Sequence, residues 1–293
     1  MGMKNDYQCY LARRAAYAKE APMSEYFLDN YNRYAEPFRI YGDLYYVGDS
    51  WVCVHLIDTG DGLLLLDAGN VGATAMLIHS IWKLGYDPAD VRWIVLSHGH
   101  LDHFGAVNFF TKMFNTEILM GAPDAEMFRH SPERSFIQDG TDFAEQLFEP
   151  NRVIYDNDVI RFGNVDMYFR LVPGHSSGAI SCFFSMSENG ISKRVGFYGG
   201  FGLNTLTKEY LQEIGDPQYT MRNTYLASLK KVRDEHVDIF IGNHTDDVSL
   251  EEKRQQMKAQ PDKNPFLDEH AWGAYLDKRK DRLIAFMQDP ENN

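Results

Sequence analysis

Residues 91–103 read VRWIVLSHGHLDH, an apolar run followed by a polar turn that holds three histidines and one aspartate. The apolar, β-branched beginning is typical of a buried strand. A helical period would place His98, His100 and His103 on different faces, so we assign them to a loop at the strand's end, where alternate side chains can converge. Imidazole nitrogens and carboxylate oxygens are zinc ligands, so this loop, with Asp102, is a candidate metal site.

The composition is that of an ordinary globular protein. The chain has 293 residues, of which 44% are hydrophobic and 24% charged, enough for one large domain or two small ones. Its net charge is −13 and it has no run rich in lysine and arginine, so we expect neither nucleic acid nor a membrane surface as a partner. No apolar run approaches the roughly 18 residues of a transmembrane helix.

The beginning of the chain differs in character from the rest. Residues 1–37 are polar and aromatic with near-helical spacing, which predicts an N-terminal helical extension before a single domain over 38–293. Residues 1–22 lack the apolar core of a secretory leader, so the expected location is cytoplasmic, although a leader removed earlier would leave the same pattern. The three cysteines are far apart, and we expect them to be reduced.

The order of predicted elements indicates an α/β fold. Two sets of β-rich runs, separated by glycine-containing turns, each lead into helices, which predicts two sheets packed face to face with helices outside. Residues 130–150 show no clear period, and we interpret them as a long irregular insertion of the kind that covers a site.

Two further histidines occur in the same setting as the first cluster. His175 lies in PGHSSG and His244 in IGNH, each directly after a β-rich run. Loops at equivalent strand ends meet at one edge of a sandwich, so we expect these histidines to join the loop at 98–103. The remaining five histidines do not share this setting, and we expect structural roles for them. They are His55, His79, His130, His236 and His270.

These motifs together carry a family resemblance. The HxHxDH element at 98–103, the later His175 and His244, and a Gly-Asp-Gly turn into LLLLDAG at 63–69 resemble the metallo-β-lactamase superfamily. The resemblance covers roughly residues 38–250. It implies an αββα sandwich of two mixed β-sheets flanked by helices, with metal ions at the edge between the sheets.

The resemblance also implies a set of ligands for two Zn²⁺ ions, although another divalent metal would suit the same side chains. The first site would be formed by His98, His100 and His175, and the second by Asp102, His103 and His244. Most members place an Asp or Cys between the last two histidines, whereas residues 197–202 here read FYGGFG. The third subclass of class B β-lactamases also lacks that ligand, and the chain is most similar to this subclass.

The implied activity is that of a β-lactamase-like, binuclear zinc-dependent hydrolase acting on a small-molecule substrate. Metal-bound hydroxide would attack a cyclic amide or ester carbonyl, with Asp102 and His103 as the catalytic residues. Asp67 and Asn70 are candidates for orienting the metal-binding histidines.

Other functions stay open from the sequence. One alternative is a hydrolase of the same superfamily that acts on lactones or thioesters. The lack of a visible secretory leader favours it, because a protective β-lactamase belongs outside the cytosol, but such enzymes usually keep the additional aspartate. An iron oxidoreductase of the superfamily and a degenerate, partner-binding member are further alternatives. The substrate, the native metal and the oligomeric state are not determined by any motif, because selectivity would lie in loops such as 130–150 and 200–216.

Overall fold

The computed structural model describes residues 30–136 and 146–292. Within these ranges the chain forms one seven-stranded and one five-stranded β-sheet. The strands of the first sheet, in their side-by-side order, are β1 (Phe38–Tyr41), β2 (Leu44–Tyr46), β3 (His55–Asp58), β4 (Leu63–Leu66), β5 (Val91–Val95), β6 (Glu117–Gly121) and β7 (Arg152–Ile154). The strands of the second are β8 (Val159–Phe162), β9 (Val165–Leu171), β10 (Ile180–Glu188), β11 (Ile191–Tyr198) and β12 (Ile239–Gly242), with β12 at one edge and β8 at the other.

Both sheets are mixed. Strands β1 to β4 pair antiparallel, whereas β4 to β7 pair parallel. In the second sheet β8 to β11 pair antiparallel and β12 joins β11 in parallel. The α/β sandwich of two mixed sheets predicted from the sequence is therefore confirmed.

Helices cover the outer faces of the sheets. They are α1 (Thr74–Lys83), α2 (Val107–Phe114), α3 (Ala122–His130), α4 (Lys208–Glu213), α5 (Thr220–Lys231), α6 (Thr245–Val248), α7 (Leu250–Ala259) and α8 (Ala271–Gln288). Short 3₁₀ turns lie at Asn30–Arg33, Pro88–Asp90, Pro132–Ser135, Asn204–Leu206 and Pro290–Asn292. None of the helices in the described ranges combines the length and the apolar character needed to span a lipid bilayer.

Strand β4 shows why the first sheet needs cover on both faces. Leu64 and Leu66 join the core cluster between the sheets, while Leu63 and Leu65 join a second cluster beneath the helices. All four are buried, so the strand reads as a continuous apolar run rather than an alternating one, as expected for a strand that is parallel to a neighbour and covered on both faces.

Several predictions about the ends and loops of the chain fall partly outside the described residues. Of the predicted extension, residues 1–29 lie outside, so the division at residue 37 and the domain over 38–293 stay predictions. Cys53 and Cys182 are buried and free, as expected. The predicted insertion at 130–150 begins with the end of α3 and a 3₁₀ turn, and its residues 137–145 are not described.

His55 links the two sheets from inside the core. It lies on β3, is fully buried, and its Nε2 is 3.0 Å from the Gly242 carbonyl oxygen at the end of β12. Burial lowers the pKa of His55 to about 4, although the carbonyl and Asp67 partly counteract this. His55 is therefore neutral at pH 7 and donates this hydrogen bond.

This neutral state predicts a pH-dependent stability. The pKa of His55 is about 4 when folded and 6.5 when unfolded. The contribution of neutral His55 to the free energy of unfolding is therefore complete above pH 6.5. It is lost as the pH falls towards 4, because the unfolded chain binds a proton at His55 that the folded chain does not. Between pH 7 and pH 4, wild type is expected to lose about 3 kcal/mol more unfolding free energy than His55→Gln, measured by urea titration. The same substitution at the exposed His79 should leave the wild-type pH dependence in place, and parallel curves for wild type and His55→Gln would contradict the assignment.

Candidate metal centre

The structure brings all six sequence-predicted ligands to one edge of the sandwich. The loop after β5 supplies His98 to His103, the loop after β9 supplies His175, and the end of β12 supplies His244. Ring centroids of His98 and His103 are 4.3 Å apart, and those of His98 and His175 are 4.8 Å apart. His244 completes the group, with its ring centroid 5.1 Å from that of His103.

Two overlapping groups of side chains are close enough to hold a metal ion. In each group the potential ligand atoms lie within 4.8 Å of one another, and His98 belongs to both. The groups are His98, His100 and His175, and His98, Asp102 and His103. His244 approaches the second group through its Nε2, which is 3.4 Å from Asp102 Oδ2.

Unpartnered nitrogens show that this donor set fits metal ions. The Nε2 atom of His98 is buried and has no hydrogen-bond partner among the described residues, and the equally buried Nε2 of His103 has only Asp102 Oδ2 nearby, at 3.3 Å. A buried polar atom without a partner is costly, so such atoms are rare unless an ion or water satisfies them. Burial and the neighbouring imidazoles lower the pKa of His98 and His100 well below the usual value, so their lone pairs are available for coordination.

Carboxylates give the second group a different electrostatic character. Burial alone would raise the pKa of Asp102, but the His103 and His244 rings hold it well below its usual range. Burial alone would lower the pKa of His103, but the carboxylates of Asp102 and Asp67 raise it to about 10. Two carboxylates around one imidazole thus favour a positive charge here, whether a proton or a metal ion.

The outer nitrogens of four histidines are held by the surrounding structure. His103 Nδ1 is 2.8 Å from Asp67 Oδ2, and His98 Nδ1 is 2.9 Å from Ser97 Oγ. His175 Nδ1 is 3.0 Å from the Gly202 carbonyl, and His244 Nδ1 is 3.2 Å from the Trp51 carbonyl. A carbonyl or carboxylate partner at Nδ1 fixes the proton there, which leaves the lone pair on Nε2 of the same ring, and in His175 this Nε2 lies 2.9 Å from His100 Nδ1.

Asp67 and Asn70, the two predicted orienting residues, differ in what they contact. Asp67 is buried with a positive φ of 64°, and its two oxygens accept bonds from the Ser97 amide and from His103 Nδ1. The Asp67 amide donates to the Val95 carbonyl at the end of β5 at 2.9 Å, which holds this uncommon backbone conformation. The Asn70 amide instead donates to Asn30 Oδ1 at 2.9 Å, which makes it part of the neighbouring turn.

Asp124 is a buried residue of this region that the sequence reasoning missed. It follows β6, and its carboxylate accepts bonds from the Gly99 amide at 2.8 Å, the Gly178 amide at 2.6 Å and Ser176 Oγ at 2.7 Å. Gly99 lies between two predicted ligands and Ser176 follows a third. One carboxylate therefore ties the HxHxDH loop to the His175 loop.

Glycines explain both the tight loop contact and the absent additional ligand. A Cβ on Gly121 would lie 2.0 Å from the Gly178 carbonyl oxygen, so these two loops approach at backbone distance. In the stretch 197–202, where the family resemblance implies an Asp or Cys in most members, Gly199 and Gly200 occur instead, and a Cβ on Gly199 would lie 2.6 Å from Ser97 Cβ. This close packing leaves Gly199 no room for a ligating side chain.

A cavity of about 260 Å³ opens beside His100 and His175. Its wall includes the apolar side chains of Met127, Ile214 and Met221. The start of the predicted insertion also borders this region, because the Ser135 carbonyl accepts the Leu101 amide and the Phe136 ring lies 4.8 Å from that of His100. A small organic molecule in this cavity would lie next to the histidine cluster.

Two mixed sheets with a histidine-rich edge define an αββα sandwich with a candidate metal centre, and comparison with known proteins agrees. The family model of the metallo-beta-lactamase superfamily matches residues 52–190, which include five of the six predicted ligands. This match covers just under half of the chain, and together with the shared fold it makes the chain similar to the metallo-beta-lactamase superfamily.

Individual relatives are distant. The probable polyketide biosynthesis zinc-dependent hydrolase PksB of Bacillus subtilis is 24% identical over 124 residues, which are 40% of this chain and 48% of that protein. An N-acyl homoserine lactonase of Bacillus thuringiensis is 28% identical over 116 residues, 39% of this chain and 41% of that protein. The matched region thus spans less than half the length of these two curated relatives.

Solved structures resemble the chain over a longer range. BJP-1, a subclass B3 metallo-beta-lactamase of Bradyrhizobium japonicum, superposes with a TM-score of 0.73 and 24% identity. The superposition covers 89% of this chain and 99% of that one. The shared fold therefore extends beyond the family match to the region of His244.

Proposed function

We propose that the chain is a binuclear zinc-dependent hydrolase that cleaves a cyclic amide or ester of a small molecule. The observation that carries this proposal is the convergence of six ligand-type side chains from three loops, among them His98, whose buried Nε2 has no hydrogen-bond partner among the described residues. The zinc-dependent hydrolase and the lactonase among its relatives support the same reaction class.

The ligand assignment is supported by the first group and by the proximity of Asp102, His103 and His244 to one another. His98, His100 and His175 would hold one ion, and Asp102, His103 and His244 the other. The chemistry that such ions supply when bound is Lewis acidity and a water-derived nucleophile near neutral pH. We assign the remaining work of the reaction to the side chains around them.

The chain's own residues position this chemistry in three ways. Asp102 is ionised at neutral pH, so it can accept a proton or a hydrogen bond at Oδ2 and orient an attacking water, and His103 lies 3.3 Å from that oxygen. Asp67 and the Gly202 and Trp51 carbonyls fix the ring orientations of three ligands. The cavity beside His100 holds the part of the substrate that does not react.

β-Lactams are the substrate class we favour. The fold extends over nearly the whole of a subclass B3 β-lactamase, and residues 197–202 lack the additional aspartate that lactonases of the superfamily usually carry. A lactone is the second candidate, because N-acyl homoserine lactonases are among the sequence relatives.

Removing the metal tests the proposal directly. Protein reloaded with zinc is expected to contain two zinc ions per chain by elemental analysis and to hydrolyse at least one penicillin, cephalosporin, carbapenem, lactone or thioester. Dialysis against a chelator should abolish turnover and added zinc should restore it, because no side chain of the site can replace the Lewis acidity of the ions. Iron in place of zinc, or no turnover across the panel, would contradict the proposal.

A further inference from the structure

We propose that Arg279 is a positioning residue that holds His244 in its ligating orientation and thereby sets the affinity of the second metal position. This inference rests on the proposed function, because it concerns the ion assigned to Asp102, His103 and His244. Arg279 lies on α8, and its charged side chain is buried. A buried charge is costly unless it is paired, so the contacts of this guanidinium show what it stabilises.

The first contact of Arg279 is an ion pair with Asp247 on α6, the short helix that begins directly after His244. Arg279 Nη2 donates to Asp247 Oδ1, and the Asp247 side chain is fully buried. The Asp247 amide donates to the His244 carbonyl at 3.2 Å. A Cβ on Gly242 would lie 3.1 Å from Asp247 Cβ, so α6 packs closely on the end of β12. The ion pair therefore holds the segment that carries His244 against α8.

The second contact of Arg279 is with the aromatic ring of Phe201, in the loop after β11. Arg279 Cζ lies 4.0 Å from the centroid of this ring, which is a close cation–π contact. The centroid of the Phe201 ring is in turn 5.2 Å from that of His244, with the two rings edge to face. Phe201 thus contacts both the guanidinium and the imidazole, so the position of one affects the other.

The imidazole of His244 is confined by aromatic rings from two loops. The Trp51 ring centroid lies 5.5 Å from that of His244, and the Trp51 carbonyl is 3.2 Å from His244 Nδ1. Together with Phe201, these contacts direct His244 Nε2 towards Asp102, whose Oδ2 is 3.4 Å away. Of the two rings, Phe201 is the one that contacts Arg279. Loss of the guanidinium therefore frees the imidazole on that side.

The first metal position depends less on Arg279. His175 is held through the Gly202 carbonyl, which belongs to the same loop as Phe201. The backbone of this loop has a separate support, because the Tyr225 hydroxyl donates to the Phe201 carbonyl at 3.3 Å. A change at Arg279 should therefore move the Phe201 side chain and leave the carbonyl that fixes His175 in place.

The zinc affinities of the two positions test this inference. In competition with a chelator, wild type is expected to bind two zinc ions. Arg279→Gln should weaken the second ion about 10- to 100-fold and change the first less than about threefold, because only His244 loses its support. Arg279→Lys keeps a charge for Asp247 but not the planar group over Phe201, so its second affinity should lie between those of wild type and Arg279→Gln. The matched control is Arg282→Gln, at an exposed arginine of the same helix, which should change neither affinity.

Phe201→Leu tests the same route without removing a buried charge. It leaves the ion pair of Arg279 and Asp247 in place and should still weaken the second ion about tenfold. In urea unfolding of metal-free protein it should keep a midpoint near that of wild type, because the Phe201 side chain is only half-buried. A merely structural role of Arg279 would instead weaken both ions together with the stability of the fold.

The outcomes for Arg279 and for the hydrolase proposal can be told apart. Two zinc ions in wild type, with an unchanged second affinity in Arg279→Gln and Phe201→Leu, would overturn the role of Arg279 and leave the hydrolase proposal in place. Equal weakening of both ions would also overturn it. A selective loss of the second ion, in a protein that turns over none of the proposed substrates, would support the role of Arg279 and contradict the hydrolase proposal.

Discussion

Replacing His98 by alanine is expected to lower kcat/KM for the hydrolysed substrate about 1,000-fold and to reduce zinc to well below two ions per chain. His98 is the one residue common to both candidate ligand groups, and its buried Nε2 has no other partner among the described residues. Its loss therefore weakens both positions, and several kcal/mol of transition-state stabilisation from the metals are lost with them. Steady-state kinetics and elemental analysis of the dialysed variant measure both effects.

Comparison with His244→Ala makes this prediction specific. His244 approaches Asp102 and His103 of the second group, so its removal leaves His98, His100 and His175 intact. We expect this variant to retain about one zinc ion, more than His98→Ala retains. His270→Ala, at an exposed histidine far from the cluster, should keep full zinc content and activity. Equal zinc content in wild type and His98→Ala would show that the buried nitrogen has another role.

The sequence was sufficient to predict the fold and the meeting of the three loops. Strand β5 is an apolar run that is largely buried in the sandwich, and the loop after it holds three histidines and one aspartate within six residues. So many ligand-type side chains in one loop indicate a metal site rather than a structural loop. Parallel strands of one sheet end at the same edge, and the loops after β9 and β12 of the second sheet open at that edge too. The same local pattern, a β-rich run followed by histidine, occurs three times, and this repetition predicted that the three loops lie close together.

The supports of the site could not be predicted in the same way. Asp124 reads as one acidic residue near the start of a helix, where acidic residues are common for reasons of local electrostatics. Its role depends on amides 25 and 54 residues away, and no periodicity or spacing relates it to them.

Asp124→Ala is expected to destabilise the chain by about 3 to 5 kcal/mol and to weaken zinc binding about 10- to 100-fold. The substitution leaves the Gly99 and Gly178 amides and the Ser176 hydroxyl without their acceptor in a fully buried position, and each unsatisfied group is costly. Burial raises the pKa of Asp124, so relief of the desolvated carboxyl offsets part of this loss. Urea unfolding and competition with a zinc chelator measure the two quantities.

Two variants decide whether Asp124 acts through its hydrogen bonds. Asp124→Asn keeps the shape and one acceptor oxygen, but its amide group must face a donor at the other position, so an intermediate loss of stability is expected. Asp166→Ala removes an exposed carboxylate and should stay within about 0.5 kcal/mol of wild type. Because one carboxylate joins the loop of His98 and His100 to the loop of His175, stability and zinc affinity should fall together across Asp124→Asn and Asp124→Ala. A large loss of stability with unchanged zinc affinity would show that the loops keep their geometry without Asp124, and that the histidine cluster is held by the strands alone.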